Sequence, residues 1–186
     1  GCEGPPGLYP PGRCDTPDLG VRPYTPRFEL WADDAAKERY IHLPPGSTID
    51  TSDPDHWVFP VGTRMYKTFL QDGVRLETRV FDKTDPGTGV GAWDMRTYAW
   101  NDAQDAVTDV TNEPDAVRAN ALGTEHDIPS GSQCVTCHRG LDVINGFSAI
   151  LLNHDGPGVT LRTLLDEGRL SEPIAASEAT VPGDET

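Results

Sequence analysis

Between positions 63 and 100 the chain alternates apolar and polar side chains with a period of two, the pattern of strands that turn one face to a core. Residues 63–70 and 74–81 flank Gln71-Asp72-Gly73, and two alternating runs across an Asp-Gly turn predict an antiparallel hairpin. Residues 93–100 continue the meander after the turn-forming stretch Thr84-Asp85-Pro86-Gly87-Thr88-Gly89. On the first of these strands Met65, Lys67 and Phe69 share one face, while Tyr66 and Leu70 take the other. A twisted antiparallel sheet with one face on the core is the central expectation.

Elsewhere the pattern is weaker. Phe28-Glu29-Leu30-Trp31 and residues 38–43 read as two short strands, with a helix over residues 33–39 as the rival. Residues 101–132 are polar and irregular and read as a surface excursion. Residues 146–152 predict a short buried helix, and Leu161, Leu164 and Leu165 share a helical face behind Thr160 as N-cap. The fold class is therefore α+β and mainly β, with few short helices and long loops. It divides into an extended Pro/Gly-rich arm (1–26), one domain (27–170) and a loose tail (171–186).

Composition sharpens this picture. With 19 glycines, 17 prolines and modest apolar content, many turns and short elements are expected, which argues against a small helical bundle. The net charge of -15 argues against non-specific binding to nucleic acid or to an anionic membrane, so partners should be basic or uncharged, and solubility is the plainer account of the acidity. No apolar stretch is long enough to span a bilayer. Cys2 and Cys14 bracket a segment that would not be ordered unless tied, and a disulfide between them is the economical tie. Such a bond points to an oxidising compartment, periplasmic or extracellular, with numbering from a mature N-terminus. A lipoprotein anchor at Cys2 is the alternative.

Two segments carry candidate chemistry. Asp50, Asp53 and Asp55 make an oxygen-rich loop that could hold calcium, although the spacing lacks the Gly and Glu of an EF-hand and turn-forming aspartates explain it more simply. Cys134-Val135-Thr136-Cys137-His138 is far more specific. Two cysteines three positions apart can form thioethers to the vinyl groups of one haem, and the following histidine falls beneath the iron as its axial ligand. A redox dithiol or half of a zinc site would use the same cysteines. Neither fits as well, because no second ligand pair lies at short spacing and residues 128–132 before the motif form a turn. One covalent haem c is the expected cofactor.

The succession Phe59-Pro60-Val61-Gly62-Thr63, Glu77-Thr78-Arg79, Tyr98-Ala99-Trp100-Asn101 and then the motif resembles exported bacterial haem c proteins of poorly defined function, from about Phe28 onward. Those proteins often continue into a second cytochrome segment, so the resemblance implies a fragment, a processed product or a one-haem version. More distantly, an antiparallel sheet followed by a haem motif is similar to cytochrome c-prime-beta and its lysine-cross-linked, hydroxylamine-oxidising relatives. That resemblance implies haem packed on the sheet, His138 as proximal ligand, an open distal face, and Lys67 near the haem edge as a candidate for the cross-link. An exposed strand lysine is the plainer account of Lys67.

The far side of the iron decides the role. A second protein ligand favours electron transfer, whereas an open position favours small-ligand or amine chemistry. Candidates are His126, Met95 and Met65, then His154, His42 and His56, with Tyr66, Trp93 and Trp100 as walls of an open pocket. The favoured expectation is a monohaem electron carrier rather than a catalyst, acting with a redox partner protein or with copies of itself. The alternatives are a haem enzyme or small-ligand binder, and a β-domain that haem merely staples.

Overall fold

Six strands form one antiparallel sheet in the order β1-β2-β3-β4-β5-β6, each paired with its neighbour in sequence. They are β1 (Val21–Pro23), β2 (Ala36–His42), β3 (Arg64–Gln71), β4 (Val74–Lys83), β5 (Trp93–Trp100) and β6 (Val107–Asp109). Three short helices follow, α1 (Gly131–Cys137), α2 (Ala149–Leu152) and α3 (Leu161–Asp166), so the architecture is mainly β. The computed structural model describes residues 1–29, 35–113, 119–141, 143–175 and 178–180.

The central hairpin follows from local chemistry. Asp72 and Gly73 both take left-handed backbone angles, φ 51° and 79°, which gives the two-residue turn whose twist matches the flanking strands. A register shift between Phe69 and Leu70 then resets the pairing from Leu70↔Arg75 to Phe69↔Glu77.

Three short elements differ from the pattern-based expectations. Phe28 and Glu29 are not in a strand, and positions 30 and 31 lie outside the described residues. The partner of β2 is instead β1, from the arm, with Val21 opposite His42. The rival helix over residues 33–39 does not form across its described part, because residues 36–39 are laddered to β3. β6 arises in the stretch read as irregular, its three residues held against Tyr98, Ala99 and Trp100.

Both faces of the sheet are covered. Ile41, Met65, Phe81 and Trp93 face the large core made with Tyr24, Trp57, Phe59, Val143, Phe147, Leu152 and Leu164. Each large side chain buried there contributes roughly 1.5–3 kcal/mol relative to exposure. The ring of Phe147 anchors it with edge contacts to Tyr24 at 5.0 Å and Phe59 at 5.7 Å. The opposite face packs Tyr66 and Val80 on Leu8 and Val21 of the arm. The Cys2–Cys14 disulfide closes that arm.

The C-terminal third straps the sheet from the other side. Thr160 caps α3, accepting from the Thr163 N–H at 3.3 Å, and the helix buries Leu161 and Leu164 while Leu165 stays exposed. Gly158, at φ 86°, lets the chain approach β1 so that Val159 N–H donates to Pro23 O at 2.8 Å. A Cβ at 158 would lie 2.2 Å from that carbonyl oxygen. Residues 171 and 172 are bonded to the loop after β2, through Ser171 N–H to Ile49 O and Glu172 N–H to Thr51 Oγ1. The expected loose tail beyond position 180 lies outside the described residues.

Candidate functional site

The Cys134–His138 motif sits in and just after α1. Ser130 opens the helix, and Gln133 Oε1 accepts from Ser130 N–H at 3.0 Å, the reciprocal half of a capping box. Gly131 N–H donates to Thr111 O at 3.0 Å, which ties the helix to the chain beyond β6. Cys134 and Cys137 are both free thiols, Cys134 buried against the sheet and Cys137 exposed. They lie three apart on one helical face.

His138 ends the helix. Its Nδ1 lies 2.6 Å from Val143 O, so Nδ1–H donates to that carbonyl and Nε2 carries the free lone pair. Val143 is 2% exposed in the large core, and Asn145 Nδ2 donates to Cys137 O at 3.3 Å. The loop after the motif therefore fixes both the tautomer and the orientation of the imidazole. The ring packs edge-on to Phe81 at 4.7 Å. Burial, reinforced by the charges of Lys67 and Arg79, holds its pKa below the ordinary histidine value despite the bond to Val143 O, which favours the neutral form a metal needs.

Strand register lays three rows across the sheet face beneath this helix. The first row is Ile41, Met65, Phe81 and Met95; the second is Arg39, Lys67, Arg79 and Thr97; the third ends in Phe69, Glu77 and Ala99. Rows are two residues apart along a strand, about 7 Å. His138 lies on the first row, against Phe81. His126 lies on the third, 5.2 Å from the ring of Phe69 and with Nε2 2.9 Å from Glu77 Oε1. The two histidines thus stand on either side of the row Arg39-Lys67-Arg79-Thr97.

That middle row is cationic and partly dry. Arg79 donates to both oxygens of Glu77, at 2.7 and 3.1 Å. Glu77 is fully buried; burial would raise its pKa, but the His126 bond and the charge of Arg79 outweigh this and hold the carboxyl below the usual range. Arg39, buried, donates to Glu29 Oε2 at 3.1 Å. The Lys67 ammonium makes no hydrogen bond or ion pair among the described residues, and its Nζ lies 5.0 Å from the centroid of the Phe69 ring. Burial first, then the neighbouring Arg39 and Arg79, push it down to about 8. Burial likewise raises the Cys134 thiol, with Arg79 opposing. His126 Nδ1 is buried without a hydrogen-bond partner.

The remaining candidates fall elsewhere or are already engaged. Met65 and Met95 flank Phe81 on the same row as His138. His42 Nδ1 bonds Gly20 O at 2.9 Å, and His154 uses both nitrogens, on Thr25 O and Gly156 N–H. His56 lies in the polar loop after β2. Tyr66 and Trp100 are on the arm face, bonded to Pro6 O and Thr78 Oγ1, and of the three proposed pocket aromatics Trp93 alone shares the face of the motif. In the aspartate loop, Asp50 and Asp53 accept backbone N–H bonds from Ser52 and Asp55, as turn residues do.

The residues fit the expected cofactor by their donor chemistry. Two free thiols three positions apart and an imidazole whose Nε2 is left free are the donor set covalent haem would use, and among the described residues no group of three or more His, Cys, Asp or Glu gathers to hold a metal ion. A cavity of about 40 Å³ lined by Tyr24, Met65, Lys67, Arg79, Phe81 and His138 marks where the face is open. Ile144 and Asn145 line the same cavity, which is smaller than a porphyrin. Glu77, Arg79, Arg39 and Thr97 were not legible as site residues in the sequence; only strand register brings them together. No family model, curated protein or solved structure matches the chain. Among the described residues no helix is long and apolar enough to cross a membrane.

Proposed function

We propose that the chain is an extracytoplasmic monohaem c-type cytochrome that carries electrons. The observation that carries this reading is the state of His138: two free thiols precede it on one helical face, and its Nδ1–H is held by Val143 O at 2.6 Å with Nε2 left for a metal. Cys134 and Cys137 would form the thioethers and His138 would be the proximal ligand. Bound haem supplies a one-electron couple. The chain's own residues orient the imidazole, bury one attachment cysteine and line the site with aromatic, aliphatic and cationic side chains. The Cys2–Cys14 disulfide supports an oxidising compartment, and the resemblance to exported haem c proteins points the same way.

Electron transfer is favoured over an open distal site by His126. It stands across the cationic row from His138, buried, with Nδ1 unpartnered and its other nitrogen bonded to a carboxylate, the arrangement of a ligating histidine. Met65 and Met95 share the row of His138 and are poorly sited for the far face. Production in a host that attaches haem c should give a red protein whose intact mass exceeds the polypeptide by one haem. Its ferrous form should be low-spin and indifferent to carbon monoxide, and His126→Ala should convert it to a form that binds the gas. A colourless product sinks the proposal; a wild type that binds carbon monoxide redirects it to small-ligand chemistry.

A further inference from the structure

The row Arg39-Lys67-Arg79 presents three cations directly opposite one another on adjacent strands, in a chain whose net charge is -15. Like charges in register across a sheet are destabilising, and burial makes them more so. Glu29 answers Arg39 and Glu77 answers Arg79, while Lys67 between them has no anionic partner among the described residues. Both Lys67 Nζ and the Arg79 guanidinium lie over Phe69, at 5.0 and 4.5 Å from its ring centroid, so the two charges converge on one place rather than diverge to solvent.

Thr97, beside Cys134, ends the row on β5, and Arg39 ends it on β2. At about 4.8 Å per strand the row spans about 14 Å, comparable to the width of a porphyrin from its thioether edge to its carboxylates. Resting on the haem reading above, we infer that Lys67, with Arg39 beside it on the side away from Thr97 and Cys134, is a carboxylate seat that receives the haem propionates at the edge opposite the cysteines. An arriving carboxylate would give Lys67 the ion-pair partner that the described residues do not supply. It forms charge-assisted hydrogen bonds without any covalent change.

The test uses the full chain matured with haem, as wild type, Lys67→Met and Lys67→Arg. Methionine keeps the volume of the side chain and removes a charge without a partner, so folding is retained. Intact mass first establishes that each carries one haem. The propionate bending band in the resonance Raman spectrum should then move in Lys67→Met and return in Lys67→Arg, which keeps the charge but has no amine for a cross-link. The equilibrium constant for haem reduction should fall three- to tenfold in Lys67→Met, a tenfold change being about 59 mV for one electron. Sulfate should leave the wild-type spectrum unchanged, because the seat is filled. Haem-loaded Lys67→Met with an unmoved propionate band overturns the seat while leaving the cytochrome reading intact. Lys67-dependent sulfate binding together with an unmoved band assigns the seat to anions from solution and overturns the propionate. A wild type without haem removes both readings.

Discussion

Glu77 is the residue on which the site's electrostatics turn. It is fully buried and accepts from Arg79 and His126, so its removal strands a partly buried guanidinium rather than simply deleting a contact. Glu77→Ala should cost about 3–5 kcal/mol in a denaturant titration at neutral pH. Because its folded pKa lies below the unfolded value, its contribution is present above about pH 4.3 and is lost as pH falls through the folded value. The deficit of the variant should therefore shrink in acid. Lys67 behaves with the opposite sense. Its folded pKa, about 8, lies below that of a free lysine, so the unfolded chain binds more protons between about pH 8 and 10.4 and stability rises across that window. In the haem-free chain, wild type should gain on Lys67→Met by about 1–3 kcal/mol from pH 7 to 10, allowing for partial solvent screening. A flat difference would show that the lysine is solvated. The motif itself was legible from five consecutive residues, because its two thiols and its histidine are local in sequence. The partnership of Glu77 with His126 was not: 49 positions separate them, and nothing near either residue signals the other.

At the scale of elements, what could be read depended on length and on where the forming forces lie. β3 and β4 carry their own instructions, alternation over eight and ten residues and an Asp-Gly turn between them. β1 and β6 are three residues each, too short to show a period, and exist because an adjacent strand offers a ladder. The arm was expected to be extended and tied by a disulfide, and the structure adds what the tie secures. Arg75 donates to Cys14 O at 2.6 Å and lies 3.7 Å over Trp100, so the closed loop is pinned to the end of the sheet. Leu8, fully buried, covers Tyr66 and Val80. Cys2→Ser with Cys14→Ser should then lose about 3 kcal/mol, the loop entropy for a sequence separation of 12, and should expose the second sheet face to a hydrophobic dye. Loss of stability without dye binding would mean that Leu8 stays docked and that the bond acts on the unfolded chain alone. At the other end, Ser130→Ala removes the hydroxyl from the cap position of α1 and should cost about 1 kcal/mol. Its measurable consequence is a lower yield of haem-loaded protein, since α1 sets the spacing of both thiols.

Across the whole molecule, charge is distributed against its own average. Aspartate and glutamate outnumber lysine and arginine 30 to 15, yet Arg39, Lys67 and Arg79 are gathered in one row on a covered sheet face. A distant partner is screened from a buried charge by protein and counter-ions and responds mainly to the acidic exterior, whose field extends about 8–10 Å at ordinary ionic strength. The haem iron, in contrast, would respond to the cations beside it, which favour the reduced state and leave the approach of a partner unchanged. In a haem-loaded protein, encounter and driving force would thus be set by different residues. For the haem-loaded protein this predicts that small cationic oxidants of matched potential react faster than anionic ones at low salt. The cationic rate should fall as salt is added and the anionic rate should rise, the two converging near physiological ionic strength. Stopped-flow mixing over a range of sodium chloride concentrations measures both. Lys67→Met should shift the equilibrium of each reaction and leave the slopes against salt as they were, because the charge it removes faces inward. Parallel salt slopes for the two reagents would mean that electrons leave through a neutral patch of the surface and that the acidity serves solubility alone.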